Sequence, residues 1–127
     1  MSEYYGGDFI ATTLNASTAL SALVSTEVHN ARLLPDGAGI ESVNYYPVVP
    51  YNPRLETFAG TWSVDCRSAT EWGAFAIAQA VVDALNRKDA AVGGFTYFAV
   101  CNIGGVVPPI DNTDAYNVPV SVEIRRR

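Results

Sequence analysis

The chain has 127 residues, of which 49% are hydrophobic and 17% are charged, and its net charge at pH 7 is −5. This length is typical of one domain, which can bury roughly two-thirds of its unfolded surface without disulfide bonds. The high apolar fraction favours burial of part of that surface in an assembly. No apolar stretch approaches the ~20 residues of a membrane span, and no secretion signal is evident, so we expect a cytosolic protein that contacts no membrane.

The positive charge is concentrated at the C-terminus. Arg125, Arg126 and Arg127 are three of the eight basic residues, which leaves five basic against 13 acidic residues in the rest of the chain. Such an acidic body repels nucleic acid and argues against a module that reads DNA sequence. The terminal arginines form either a solvated chain end or a contact with an acidic partner.

The N-terminal third predicts helices followed by strands. Residues 1–7 are expected to form a flexible arm, and a helix is expected from Asp8, with Phe9, Ile10, Thr13 and Leu14 spaced for one apolar stripe. Residues 15–18 end that helix and cap a second short apolar turn that runs to Val24. A short strand is expected over residues 28–34, and an edge strand over 45–49, because Pro47 and the prolines that follow it each remove a ladder donor.

The middle of the chain predicts a strand and then a long helix. Apolar side chains alternate with polar ones from Phe58 to Cys66, which is typical of a half-buried strand, and Gly60 on the apolar side indicates a bulge. Residues 68–71 match a capping box with Ser68 as the N-cap, so we expect a helix over about residues 69–86. Its predicted core stripe consists of Ala74, Ile77, Ala78, Val81 and Leu85.

Two aromatic residues of this helix have no place in that stripe. Trp72 falls on the opposite, solvent-facing side, and Phe75 lies on its flank. Either a loop or the N-terminal arm of the same subunit covers Trp72, or Trp72 and Phe75 anchor a contact between subunits, since Trp is enriched at the centres of protein interfaces.

The C-terminal third predicts two further strands. Residues 95–103 form a nearly continuous apolar run that favours a central strand covered on both faces. Residues 118–124 alternate, and Pro119 in the outward register favours an edge position. The predicted fold is α/β (α+β), a single domain over residues 1–127 with a mostly antiparallel sheet of about four or five strands packed on two helices.

Little of the sequence is suited to catalysis. Cys66 and Cys101 are expected to be reduced core residues, and His29 has no partner at a diagnostic spacing. Residues 111–114 are expected to form a polar turn. We therefore predict no enzyme activity, no cofactor and no metal site. The alternative is a small α/β ligand-binding domain or enzyme whose pocket uses Tyr45, Tyr46 and Tyr51 with Asp111 or Asp114, and His29 as a base.

The order of elements resembles the tail terminator, or tail completion (tail-to-head joining), proteins of long-tailed bacteriophages. Three segments carry the resemblance: LNASTALSALV at residues 14–24, WSVDCRSATE at residues 62–71, and VPVSVEI at residues 118–124. It extends over nearly the whole chain, but these are fold-forming patterns rather than chemical motifs. The prolines of residues 47–53 depart from the usual pattern, in which an uninterrupted strand and hairpin are more common.

The resemblance implies a non-catalytic subunit of a homo-hexameric ring in the neck of a virion, assembled in the cytoplasm of the bacterial host. Such a ring binds the last ring of tail tube protein, stops tube polymerisation and offers a surface to the head-tail connector or stopper protein. Genomic DNA passes through its bore without sequence recognition. The alternative within virion architecture is a head-side connector, stopper or other minor structural protein.

Overall fold

Three helices and six strands make up the described part of the chain, which in this computed structural model comprises residues 7–31, 39–49, 58–92, 94–108 and 115–126. In chain order the elements are α1 (Gly7–Asn15), α2 (Thr18–Val24), β1 (Val28–Asn30), β2 (Ser42–Val49), β3 (Phe58–Ser68), α3 (Glu71–Leu85), β4 (Asp89–Val92), β5 (Phe95–Ile103) and β6 (Tyr116–Arg126). The predicted α+β class is confirmed. The sheet has one strand more than the upper predicted number, because β4 was not anticipated.

The six strands form one sheet in the order β1-β2-β3-β6-β5-β4. β1 pairs with β2 in parallel, and every other neighbouring pair is antiparallel. The two longest strands, β3 and β6, lie side by side in the middle. The last strand of the chain, β6, therefore lies between β3 and β5, which both precede it in the sequence.

The core lies between the helices and one face of the sheet. α3 packs across β3, β6 and β5, while α1 contacts α3 and the two edge strands. All five predicted core residues of α3 are buried, as are Phe9 and Leu14 of the predicted α1 stripe. The rings of Phe9 and Tyr97 stack with centroids 5.5 Å apart, which ties α1 to β5.

α3 begins later than the sequence predicted. Ser68 remains paired with Tyr116 at the end of β3, so its backbone belongs to the sheet and cannot be the N-cap. The N-cap is Thr70, whose Oγ1 accepts a hydrogen bond from the backbone N–H of Gly73 at 2.9 Å. Ser68 Oγ instead accepts from the N–H of Thr70 at 3.3 Å and supports the turn into the helix. The capping-box prediction was therefore wrong by two residues.

The prediction that the Tyr45–Val49 segment is an edge strand was also wrong. β2 lies between β1 and β3, and the edge is the three-residue β1. The register of β1 ends opposite Tyr45, so Pro47 lies beyond the parallel pairing, and a register shift follows between Pro47 and Val49. The proline is tolerated because its missing N–H falls outside that ladder.

β6 is likewise central rather than an edge strand, since it pairs with both β3 and β5. The pairing with β5 ends at Ile103 and Val120, one residue before the proline is reached. β5 is central as predicted, but only one of its faces is buried: Tyr97, Ala99 and Cys101 are inside, whereas Val100 is only partly covered. The predicted bulge at Gly60 is confirmed by a register shift and a φ of 126°.

Several predicted features lie outside the described residues. These are the N-terminal arm up to residue 6, the end of the predicted first strand at residues 32–34, Pro50, Pro53, the polar turn at residues 111–114, and Arg127.

Candidate interaction surfaces

The outward face of α3 carries the most exposed large apolar side chain among the described residues. Trp72 is 86% exposed, and no described loop covers it. Ala76, Gln79 and Asp83 continue the same face, where the Gln79 amide donates to Oδ1 of Asp83 at 2.8 Å. Phe75 is half-buried and packs against the core. Of the two predicted interface residues, Trp72 is thus available to a partner, while Phe75 already contributes to the subunit's own packing.

A groove of about 520 Å³ lies beside the C-terminal half of α3. One wall comes from the end of α1 and the start of α2, and includes Ala16 and Ala19; the other includes Ala80 and Ala84 of α3. Asp83 and Lys88 bring charge to the lining. The sequence does not predict this groove, because its walls come from distant parts of the chain: Ala19 and Ala80, on opposite walls, are 61 positions apart.

The sheet face opposite the helices carries polar side chains, such as Ser63 and Ser121, together with apolar ones, such as Val100 and Pro119. Asp65 accepts two hydrogen bonds there, from the Tyr46 hydroxyl to Oδ2 at 2.9 Å and from the Ser63 hydroxyl to Oδ1 at 3.0 Å. A shallow depression of about 260 Å³ crosses this face above Ser63 and Ser121. One carboxylate oxygen is oriented from the neighbouring strand β2 and the other from β3 itself, which fixes the position of this carboxylate; Arg67 lies two residues further along the same side of β3.

Three arginines at the C-terminal end of the chain are predicted to contact a partner, and Arg125 is the one whose side chain the structure describes. Arg125 is exposed and pairs with Glu123 on its own strand, with Nη2 to Oε1 at 2.8 Å and Nε to Oε1 at 3.0 Å. Arg126 is the last strand residue. Part of the positive charge at this end is therefore already balanced within the subunit.

The two sheet edges are short and differ in charge. β1 is preceded by Glu27, whose Oε1 accepts the backbone N–H of Gly39 at 2.6 Å and lies 3.2 Å from Nε2 of His29. The Gly39 N–H is the larger cause, and His29 the smaller, of a lowered pKa of the Glu27 carboxyl. At the opposite edge, β4 follows the basic pair Arg87 and Lys88, both exposed.

The described residues offer little catalytic material. No three His, Cys, Asp or Glu side chains among them are grouped to hold a metal ion. Cys66 and Cys101 are free and buried on their predicted strands; burial raises the pKa of both thiols, that of Cys101 to about 12. None of the helices in the described ranges is long and apolar enough to cross a membrane.

The alternative tyrosine pocket is not assembled by the residues that can be placed. Tyr45 is buried beside Trp62, with ring centroids 6.0 Å apart, on the helix-covered face. Tyr46 faces the other side and bonds Asp65. Successive strand residues point to opposite faces, so the two tyrosines cannot line one pocket. Tyr51, Asp111 and Asp114 lie outside the described residues.

Comparison with solved structures identifies proteins of similar fold. The chain resembles a protein in the virion of a native gene transfer agent (GTA) particle, with a TM-score of 0.73 and 22% sequence identity over 92% of this chain and 90% of that one. A second solved protein matches with a TM-score of 0.65 and 11% identity over 94% of each chain. No protein-family model and no curated protein matches the sequence. At these identities the likeness establishes a shared fold.

Proposed function

We propose that this chain is a structural subunit of a phage-like virion, and that it forms a ring which caps the tail tube. In this role the ring stops tube polymerisation, joins the tube to the head connector and leaves a bore for DNA. The observation that carries the proposal is the fold shared with a GTA virion protein over nine-tenths of both chains. The sequence resemblance to tail terminators supports the same role independently of that comparison.

The two edges of the described sheet support a ring. β1 and β4 lie at opposite sides of one subunit, and both present a short run of backbone to solvent or to a neighbour. A contact between unlike surfaces on opposite sides of a subunit is heterologous, and such contacts form a ring when the rotation from one copy to the next closes. Exposed strand edges are avid pairing sites, so edge-to-edge contact is an economical way to join the copies.

Charge supports the passage of DNA. Each subunit has a net charge of −5, so six copies would total −30. Acidic groups that line a bore repel the phosphate backbone and allow it to slide. Asp65 on the outward sheet face is a candidate for that lining, because its carboxylate is held in place by Tyr46 and Ser63.

Two further contacts belong to the proposal. Trp72, together with the half-buried Phe75, anchors a contact between subunits, since an exposed Trp gains most from burial at an interface. Arg125, Arg126 and Arg127 make electrostatic contacts with the acidic body of the next subunit or with the tube.

The test uses the full-length chain and the tail tube protein from the same genome. Native mass spectrometry and negative-stain microscopy of the chain alone, of tubes alone and of the mixture should show a ring of copies at one end of each tube and a fixed tube length. A chain that ignores tubes but binds the portal-side connector would instead support the head-side connector or stopper alternative.

A further inference from the structure

We propose that two copies of this chain pair through α3 about a two-fold axis, with Trp72 of each copy seated in the alanine-walled groove of the other. The occupant of the groove is therefore a second copy. The inference rests on the proposed function only in treating Trp72 as a contact between copies. It concerns a surface separate from the sheet edges through which the ring would close.

The inserted group is the indole of Trp72. It is 86% exposed, whereas the other Trp of the chain, Trp62, is 3% exposed. A Trp side chain buries ~150–250 Å² when it is covered, which makes it the largest single gain available to the outward face of α3. Ala76, one turn further along the same face, is short and does not obstruct a facing helix.

The groove suits an aromatic ring in size and chemistry. A cavity of ~150 Å³ holds a benzene molecule, and the groove beside α3 offers about 520 Å³. Its walls carry the methyl groups of Ala16 and Ala19 on one side and of Ala80 and Ala84 on the other. Oδ1 of Asp83 is used by Gln79, which leaves Oδ2 to accept the indole N–H that a buried Trp must satisfy.

The position of Trp72 relative to the groove selects the symmetry. Trp72 and Asp83, at the rim of the groove, are 11 residues apart on α3, which at ~100° and ~1.5 Å per residue puts them within ~20° of each other and ~16 Å apart along the axis. Ala80 and Ala84 lie ~80° and ~120° from Trp72 by the same geometry, so the groove opens to one side of the Trp72 face. The indole and the groove can be matched twice only if the two helices pack antiparallel and cross at an angle that brings each ring over the partner's groove. Ring neighbours, by contrast, must present different faces to each other.

Charges match in the antiparallel arrangement. It sets the first turn of α3 in one copy, with Glu71, against the end of α3 in the other, where Asp83 is followed by Arg87 and Lys88, so these three groups together place a net positive charge opposite Glu71. Glu71 and Lys88 are both exposed, and neither forms a salt bridge with a described residue. In this register Ala76 of each helix lies opposite Gln79 of the other, so a short side chain faces a long one across the contact.

The size of this contact predicts a weak dimer. Two indoles and two facing helices of 15 residues bury less than the ~1,200–2,000 Å² of a stable specific interface. The pairing should therefore be reversible and depend on protein concentration. It can coexist with, or be replaced by, contacts made during virion assembly.

The test measures self-association of the full chain by sedimentation velocity over a concentration series, with two variants that each remove one half of the contact. Trp72→Ala removes the inserted ring. Ala19→Leu fills the groove from an exposed position of α2. Leu23→Ala is the control, since Leu23 is an exposed apolar residue of α2 that does not line the groove.

Trp72→Ala and Ala19→Leu should each weaken dimerisation at least tenfold, whereas Leu23→Ala should behave as the wild type. A mixture of the two weakened variants should associate more strongly than either alone, because a mixed pair retains one Trp72 facing one open groove. Iodide quenching of the wild-type Trp fluorescence should fall as concentration rises. Circular dichroism should be unchanged in all variants.

Wild-type dimerisation in Trp72→Ala, or a mixture that associates no better than its components, would overturn the inference. So would a wild-type chain that stays monomeric throughout the series. Tube capping is measured separately on the same variants, and distinguishes the two proposals: loss of the dimer with capping intact removes only this inference, and a dimer without capping removes only the proposed function.

Discussion

The backbone N–H of Gly104 donates to the carbonyl oxygen of Pro119 at 2.7 Å, at the point where β5 ends and β6 continues. In a strand the N–H and C=O of one residue point the same way, so the missing N–H of Pro119 also faces the residues just past β5. The pairing of β5 with β6 ends at Ile103 and Val120, so no backbone N–H is required from residue 119. This contact explains how a strand containing a proline occupies the centre of the sheet.

Gly104 should be intolerant of a side chain. A Cβ at this position would lie 3.0 Å from Cγ and 3.1 Å from the carbonyl oxygen of Pro119. We expect Gly104→Ala to lower the free energy of unfolding by ~1 kcal/mol or more, as overpacking does. At Gly105 an added Cβ meets nothing within 4 Å, so Gly105→Ala should be close to neutral in the same denaturant titration. Equal effects at both positions would mean that the approach to Pro119 is not the constraint.

Thr70 should contribute to stability as the N-cap of α3. Thr70→Ala removes the acceptor for the Gly73 N–H and should cost ~1 kcal/mol of unfolding free energy, whereas Thr70→Ser retains the hydroxyl and should cost little. Thermal or urea unfolding followed by circular dichroism measures both. If Thr70→Ala were harmless, the hydroxyl that matters would have to be that of Ser68.

The two thiols should be unreactive in the folded protein. Burial raises the pKa of Cys66 and of Cys101, the latter to about 12, so almost no thiolate is present near neutral pH. Alkylation by iodoacetamide, followed by mass spectrometry, should be slow for the native chain, slowest at Cys66, and fast after unfolding in guanidinium. Rapid native labelling of Cys66 would contradict its burial.

The same pKa shifts imply a loss of stability at alkaline pH. A raised native pKa leaves stability intact below the unfolded thiol pKa of about 8.5, and stability falls as the pH rises from there towards the native pKa. Replacing Cys66 by Ala should flatten this alkaline decline in the free energy of unfolding, even though the cavity lowers stability at every pH.

Glu27 should stabilise the segment before β1 in a manner that depends on pH. Its pKa is lowered by the Gly39 N–H and by His29, so its contribution is present above the carboxyl's ordinary pKa and disappears as the pH falls through the lowered native value. Glu27→Gln should therefore destabilise the chain at neutral pH and make no difference in strong acid. A destabilisation that is the same at both pH values would indicate a steric cause.

The terminal arginines should contribute a salt-sensitive part of assembly. Because β6 continues through Arg126, substitution is a cleaner test than deletion. Replacing Arg125, Arg126 and Arg127 by Gln should weaken ring formation or tube docking at low ionic strength, where charges act over ~30 Å, and much less in ~1 M salt, where they act over ~3 Å. The triple Lys variant keeps the charges and should follow the wild type. If the triple Gln variant and the wild type assembled equally at every salt concentration, the three arginines would be a solvated chain end with no role in assembly.

Patterns set by neighbours along the chain could be derived from the sequence. The stripe of α3 and the alternation along β3 follow from which side chains must avoid water, and the bulge at Gly60 follows from an absent side chain on the buried face. The exposure of Trp72 belongs here as well, since helical periodicity alone put it opposite the core.

The position of each strand in the sheet, the N-cap of α3 and the groove depend on residues that are far apart in the chain, and only the tertiary structure determines them. Whether Pro47 or Pro119 marks an edge depends on where the neighbouring strand stops, and that neighbour is chosen by long-range pairing. The N-cap of α3 is Thr70 and not Ser68, because the backbone of Ser68 pairs in the sheet with Tyr116, which is 48 residues later in the chain. The groove beside α3 exists only once α1, α2 and α3 are packed together. A local pattern specifies which face of an element is apolar, but the free energy that selects its partner is gained only when distant elements meet.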